Sequence, residues 1–218
     1  MSLLMVRAVL WDLDGTLVDS AEYHFESWIE ALRAEGRSLT RDQFLASFGQ
    51  RNDRILAAWL GPDASSELVL RIAEAKESAY RRIVRERGLE PLPGAARWIA
   101  DLHEEGWKQA IASSAPRLNV EVVLDVLGWQ PYFDAVVTGE DVHAGKPDPE
   151  VFLTAARRLG VPPARSVVVE DAAAGIEAAR RGGMRSIGVG PSASAAGPDV
   201  AVPSLAALTS DVWRRLAA

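Results

Sequence analysis

The chain has no cysteine. That absence removes disulfides, thiolate nucleophiles and thiolate metal sites. Basic residues are not in excess either. The formal net charge is -6, whereas a general nucleic-acid binder usually presents a basic face. A negative balance does not exclude phosphorylated small molecules, because a metal ion and a few local cations can dominate one site. No apolar stretch is long enough to span a bilayer. Met1-Ser2-Leu3-Leu4 lacks the charged and apolar regions of a signal peptide, and there is no internal repeat. We therefore expect a cytoplasmic protein, monomeric, that engages neither nucleic acid nor membrane.

What the chain does contain is enough apolar material for a sizeable core: 48% of its 218 residues are hydrophobic and 25% charged. The patterning changes along it. From Ala21 to Arg87 the periodicity is helical. Ser20 is a plausible N-cap for a helix from Ala21 to Glu35, with Phe25, Trp28, Ile29 and Leu32 on one stripe. Thr40 with Gln43 resembles a capping box. Arg51 to Leu60 reads as a helix stopped by Gly61-Pro62. A long helix from Ser65 or Ser66 to about Arg87 should turn Leu68, Ile72, Ala75, Ala79 and Ile83 inward.

From Gly94 onward, helices and strands alternate. Strands are expected at Lys108 to Ala112, Ala135 to Thr138, Ser166 to Val169 and Ser186 to Val189, with helices between them. Such alternation implies a parallel sheet with helices on both faces. Gly190 to Pro198 reads as a loop, Val200 to Val202 as a short edge strand and Ser204 to Leu216 as a final helix. The expected architecture is α/β: a Rossmann-like core of residues 1–20 and 88–218 with an inserted helical cap of residues 21–87. The linkers near Thr16-Ser20 and Gly88-Pro93 are candidate hinges. The seven tryptophans are expected in the core or at the cap interface; Trp11 reads as packing, and Trp59 as core rather than cap lining.

The most informative stretch is Asp12-Leu13-Asp14-Gly15-Thr16, which follows the apolar run Val6 to Trp11. Residues two apart on an extended chain point to the same side, so the two carboxylates are expected to project together past a strand end. Such a pair makes sense around a cation, or with one carboxyl ionised and the other titrating. Three further segments fit that chemistry. Ser113-Ser114 follows the strand at Lys108, Lys146 sits in Gly145-Lys146-Pro147-Asp148-Pro149, and Val167-Val168-Val169 runs into Glu170-Asp171. In a parallel sheet the strand C-termini share one edge, where ligands bind. A carboxylate cluster, a hydroxyl and a lysine gathered there suit a phosphate with a divalent cation.

In these segments, taken in order, the chain resembles the haloacid dehalogenase-like phosphotransferases. Asp12 to Ser20 matches the first motif of that family, Ser113 the second, Lys146 the third and Glu170-Asp171 the fourth. The resemblance implies Asp12 as nucleophile, forming an aspartyl phosphate, and Asp14 as general acid and base. It implies Mg²⁺ held by Asp12, the Asp14 backbone carbonyl and Asp171, with Glu170 close by. Lys146 and Ser113 would balance charge on the transferring phosphoryl group. Ala21-Glu22-Tyr23-His24-Phe25 resembles the cap helix of the β-phosphoglucomutase-like group. There His24 would couple cap closure to catalysis, Arg51 would grip a non-transferring phosphate and Lys76 would contact the sugar. Two segments depart from that group. Thr16-Leu17-Val18 stands where Val-Ile-Thr is usual, and Ser114-Ala115-Pro116-Arg117 where Ala-Ser-Lys-Asn is usual. Ser114 and Arg117 are then further substrate-binding candidates, Arg117 as a bidentate phosphate ligand. The implied activity is a sugar-phosphate mutase. The rival is a phosphatase on a small monoester such as a sugar phosphate or phosphoglycolate, which the Asp-Gly-Thr motif and the altered second motif favour.

Overall fold

The computed structural model describes residues 7–216. Val6, taken as the start of the first apolar run, and Met1 to Leu4 lie outside that range. Strands form at Ala8–Trp11 (β1), Lys108–Ala112 (β2), Ala135–Val137 (β3), Ser166–Glu170 (β4), Arg185–Val189 (β5) and Val200–Val202 (β6). They pair in parallel in the order β3-β2-β1-β4-β5-β6, a Rossmann-like arrangement. β1 is covered on both faces, which is why it reads as an unbroken apolar run. Val9 and Trp11 enter one core with Trp98, Ile99 and Val123. Ala8 and Leu10 enter the opposite one with Phe152, Ala155 and Ala179.

The chain builds outward from β1 to β2 and β3, then returns to place β4, β5 and β6 on the other side. The crevice at such a reversal is where open α/β sheets bind ligands. Register sharpens this: Trp11 lies opposite both Ile111 and Val169. The residues that follow each strand, Asp12, Ser113 and Glu170-Asp171, therefore emerge along one short edge. The crossovers of this half are α5 (Ala95–Glu104), α6 (Arg117–Leu127), α7 (Glu150–Leu159) and α8 (Ala173–Arg181).

Between β1 and β2 lie α1 (Ala21–Ala34), α2 (Arg41–Ser47), α3 (Asn52–Leu60) and α4 (Ser66–Arg87). Both halves of the capping box at Thr40 and Gln43 form, and Ser65 caps α4. These helices have a small core of their own with Trp28, Leu32, Phe44, Leu56 and Ile72. Trp59 packs edge-on against Trp28, with ring centroids 5.0 Å apart.

Four expectations need correction. Ser20 precedes α1, but its side chain does not cap the helix; it bonds Asp14 instead. Ala75 is exposed, while Lys76 and Glu77 are buried. The inward stripe of α4 rotates along its length, because its first half packs among the inserted helices while Tyr80 and Val84 join the sheet's core. Gly190–Ala195 forms a short helix, α9, rather than a loop; Pro191 in its first turn is compatible with a helix start. The final helix is broken into a 3-10 turn at Leu205–Ala207 and α10 (Ser210–Leu216). That turn is pinned from outside: the Trp98 indole donates to the Leu205 carbonyl at 2.9 Å, and the backbone of Gly94 presses against Ala206.

The two connections between the inserted helices and the rest lie side by side. Val18 bridges Pro91, and the Leu92 N–H donates to the Leu17 carbonyl at 2.9 Å. Among the described residues, no helix is long and apolar enough to cross a membrane.

Candidate active site

Asp12 leaves β1 with its N–H on the Val169 carbonyl and its carboxylate buried. The Lys146 ammonium donates to Asp12 Oδ1 at 2.5 Å and to Glu170 Oε2 at 2.6 Å. Oxygen atoms of Asp12, Glu170 and Asp171 lie within 4.8 Å of one another. Backbone N–H groups of Asp171 and Ala172 donate to the other Glu170 oxygen, and the Thr16 hydroxyl donates to Asp171 Oδ1 at 2.9 Å. Two glycines make room for this packing. Gly15 has φ +86°, and a Cβ there would sit 2.5 Å from Asp171 Oδ2. A Cβ on Gly175 would overlap the Glu170 carboxylate. Thr16 and Gly175 were not among the site residues expected from the sequence, although both fall within a few residues of motif carboxylates.

Burial pushes the Asp12 carboxyl well above the usual carboxylate range, and repulsion from Glu170 adds to it, while Lys146 opposes. Asp171 is pushed up to about 7, by burial first and Glu170 second. Lys146 is held above the usual ammonium range: burial opposes this, but the Asp12 and Glu170 charges prevail. Three carboxyl groups share one ammonium, and the repulsion that raises Asp12 and Asp171 is what a bound cation would relieve. The donors are all oxygen, so the cluster suits a hard divalent cation such as Mg²⁺.

Asp12 and Asp14 both line one cavity, with His24 beside them, but their carboxylates have different partners. β1 ends at Trp11, and the N–H groups of Leu17 and Val18 fold back onto the Leu13 carbonyl. Asp14 Oδ1 accepts from Ser20 Oγ at 2.5 Å and lies 3.2 Å from His24 Nε2. The Asp14 carboxylate is therefore outside the carboxylate cluster, and only its backbone carbonyl remains a metal-ligand candidate. Burial alone would raise the Asp14 carboxyl; the contact with His24 and the hydrogen bonds from His24 and Ser20 outweigh it and hold the group low. Burial and the Lys76 ammonium push His24 below its ordinary value, against the pull of Asp14. The His24 ring stacks on Tyr80 at 4.1 Å, a residue that carried no signal in sequence.

A cavity of about 620 Å³ separates this edge from the inserted helices. Asp12, Lys146, Ser113 and Ser114 line one side, with Arg51 and Lys76 on the other. Ser113 Oγ accepts from the Ala115 N–H at 3.0 Å, and Pro116, not Ser113, precedes α6. Arg51 reaches across to the carbonyls of Gly139 and Val142, at 3.2 and 3.4 Å. Arg117 is not brought into the cavity. Its guanidinium pairs with Asp141 at 2.5 Å, an anion it shares with Arg158 at 2.6 Å. Burial works against that charge, but hydrogen bonds from Arg158 and Thr138 lower the Asp141 carboxyl to about 2.

A family model for haloacid dehalogenase-like hydrolases matches residues 6–183. The chain belongs to this family. Among relatives of this haloacid dehalogenase-like protein, β-phosphoglucomutase of Bacillus subtilis is 33% identical over 214 residues, covering 95% of this chain and 93% of that protein. Fructose-1-phosphate phosphatase YqaB of Escherichia coli is 32% identical over 185 residues, covering 83% and 95%. The chloroplastic protein SUPPRESSOR OF QUENCHING 1 of Arabidopsis thaliana is 34% identical over 193 residues, which are 84% of this chain and 18% of that longer protein. A crystal structure of β-phosphoglucomutase from Clostridium difficile superposes with a TM-score of 0.86 at 28% identity, covering 97% of each chain. The chain is thus an enzyme of the family's phosphatase or phosphomutase kind.

Proposed function

We propose that the protein is a Mg²⁺-dependent phosphotransferase acting on a phosphorylated sugar through an aspartyl phosphate on Asp12, in the manner of a β-phosphoglucomutase. The observation that supports this most is the cavity itself. A buried nucleophile with its lysine, hydroxyl and carboxylates faces two cations on the inserted helices, with room between them for a sugar phosphate.

Asp12 attacks phosphorus as the ester bond breaks, and the leaving oxygen takes a proton from Asp14. A second hydroxyl then gives its proton to Asp14 and attacks the acyl phosphate, which restores Asp12. Asp14 begins ionised. Once its contacts with Ser20 and His24 are broken, burial favours uptake of a proton from water, which gives the form able to protonate the leaving oxygen. Lys146 and Ser113 hold the phosphoryl oxygens. Bound at Asp12, Asp171 and the Asp14 carbonyl, with Glu170 beside them, Mg²⁺ would neutralise the repulsion between nucleophile and phosphate. In this reading residues 21–87 act as a cap over a small phosphorylated metabolite, in a cytoplasmic enzyme.

One observation favours hydrolysis instead. With Arg117 drawn off to Asp141, the cavity lacks a side-chain phosphate donor at that position, and water would be the second acceptor. The two readings separate in a product assay with Mg²⁺, β-glucose 1-phosphate and a trace of the 1,6-bisphosphate. Glucose 6-phosphate with little free phosphate supports the mutase; free phosphate without isomer refutes it and supports the phosphatase.

A further inference from the structure

Glu77 lies at the point where the inserted helices meet the rest of the protein, and it is 6% exposed. One oxygen, Oε1, accepts from Lys76 Nζ at 2.8 Å and from Asn52 Nδ2 at 2.6 Å. The other accepts from Asn119 Nδ2, on α6. Asn119 is in turn oriented by Arg81, whose Nη1 donates to Asn119 Oδ1 at 3.0 Å. A single buried carboxylate thus joins α3, α4 and α6. Burial alone would favour its neutral form, but the Lys76 ammonium and the hydrogen bonds from Lys76 and Asn52 hold it ionised.

Lys76 depends on this arrangement. It is 3% exposed, and a buried ammonium is costly without a paired anion. Its nitrogen also lies over the rings of Trp28 and Tyr80, at 5.2 and 5.6 Å. Those rings shape its surroundings, but Glu77 is the anion bonded to it.

We infer that Glu77 is a positioning residue: it fixes the Lys76 ammonium against the cavity and, through Asn119, makes that placement conditional on the inserted helices being seated on α6. This rests on the reading of the cavity as the sugar-phosphate site. Opening the cap would separate Glu77 from Asn119 and loosen Lys76 in the same movement.

Glu77→Gln leaves an amide that cannot accept at both ends. A flip of Asn119 to compensate would turn its NH₂ group toward Arg81. In the double variant Glu77→Gln/Asn119→Asp the introduced carboxylate accepts from both the new amide and Arg81, so the bridge is rebuilt with the negative charge moved away from Lys76. The chain has three lysines, so ¹⁵N-lysine labelling reads Lys76 directly. In the unaltered protein its held ammonium should give a solvent-protected signal. Glu77→Gln should lose that signal and raise KM for β-glucose 1-phosphate roughly tenfold to a hundredfold, the loss of one charge-assisted hydrogen bond, with a smaller change in kcat. The double variant should recover the thermal midpoint but neither the signal nor KM. Recovery of all three would reduce Glu77 to a structural strut, and an unchanged Lys76 signal in Glu77→Gln would overturn the inference outright. If the unaltered enzyme turns over no sugar phosphate, the reading of the cavity fails, and the Lys76 signal alone decides the role of Glu77.

Discussion

Replacing Lys146 by Met keeps the length of the side chain and removes its charge. In the folded protein the ammonium touches both Asp12 and Glu170, and Asp171 stands within the same cluster. Removing one partner of a buried ion pair costs about 3–5 kcal/mol, because an uncompensated charge is left behind. For a chain of this size about 1 kcal/mol moves the midpoint by about 2–4 °C, so a fall of about 6–20 °C is expected. The loss has a sign in pH. Without Lys146 the Asp12 carboxyl rises still further, and taking up a proton relieves the repulsion. The deficit should therefore be small near pH 5 and grow as pH rises through the folded-state value of Asp12. Mg²⁺ should recover part of it, since a bound cation substitutes for the missing ammonium. The assay is thermal unfolding at pH 5 and pH 8, with EDTA and with Mg²⁺. A midpoint at pH 8 in EDTA equal to that of the unaltered protein would refute the argument, as would a larger Mg²⁺ gain in the unaltered protein than in the variant.

Asp12→Asn should abolish turnover with the fold retained; substantial residual activity in a steady-state assay would sink the nucleophile assignment. His24→Ala frees Asp14 from one of its two contacts and should damage mutase flux more than hydrolysis of a generic ester. Equal loss of both would show that the ring does not gate. Asp141 titrates at about 2 against an ordinary value of 3.8, so its pairing stabilises the fold above pH 4 and fades as pH falls toward 2. Its arginine partners are partly exposed, so Asp141→Asn should cost only about 1 kcal/mol at pH 7, and roughly half of that at pH 3. A gap in urea midpoints that is the same at both pH values would count against this pairing.

What was legible in the chain were features that local chemistry decides. β1 and β4 are sealed on both faces, so their apolar runs announce central strands, and the carboxylates at their ends could be matched to one edge. Thr40 and Gln43 cap a helix with nearby partners. Failures occurred where a distant group outbid a local one. Ser20 has the chemistry of a cap, but the Asp14 carboxylate takes its hydroxyl. Arg117 could hold a phosphate, yet Asp141 lies within its reach. Ala75 fits the apolar stripe of an isolated helix, but α4 changes partners midway and buries Lys76 and Glu77 in its place. The contact between Glu77 and Asn119 spans 42 positions and depends on how α4 crosses α6, which no local pattern encodes.

The side-by-side course of Leu17-Val18 and Pro91-Leu92 constrains how the inserted helices can move. A single strap would let them swivel. On the cap reading proposed above, two straps laced by a main-chain hydrogen bond should bend in one plane and resist torsion, so the helices would swing like a door leaf. On that reading each closure would return Arg51 and Lys76 to the same stations above Asp12. Lengthening only one strap by a residue would skew the leaf, and the enzyme would close onto its substrate out of true.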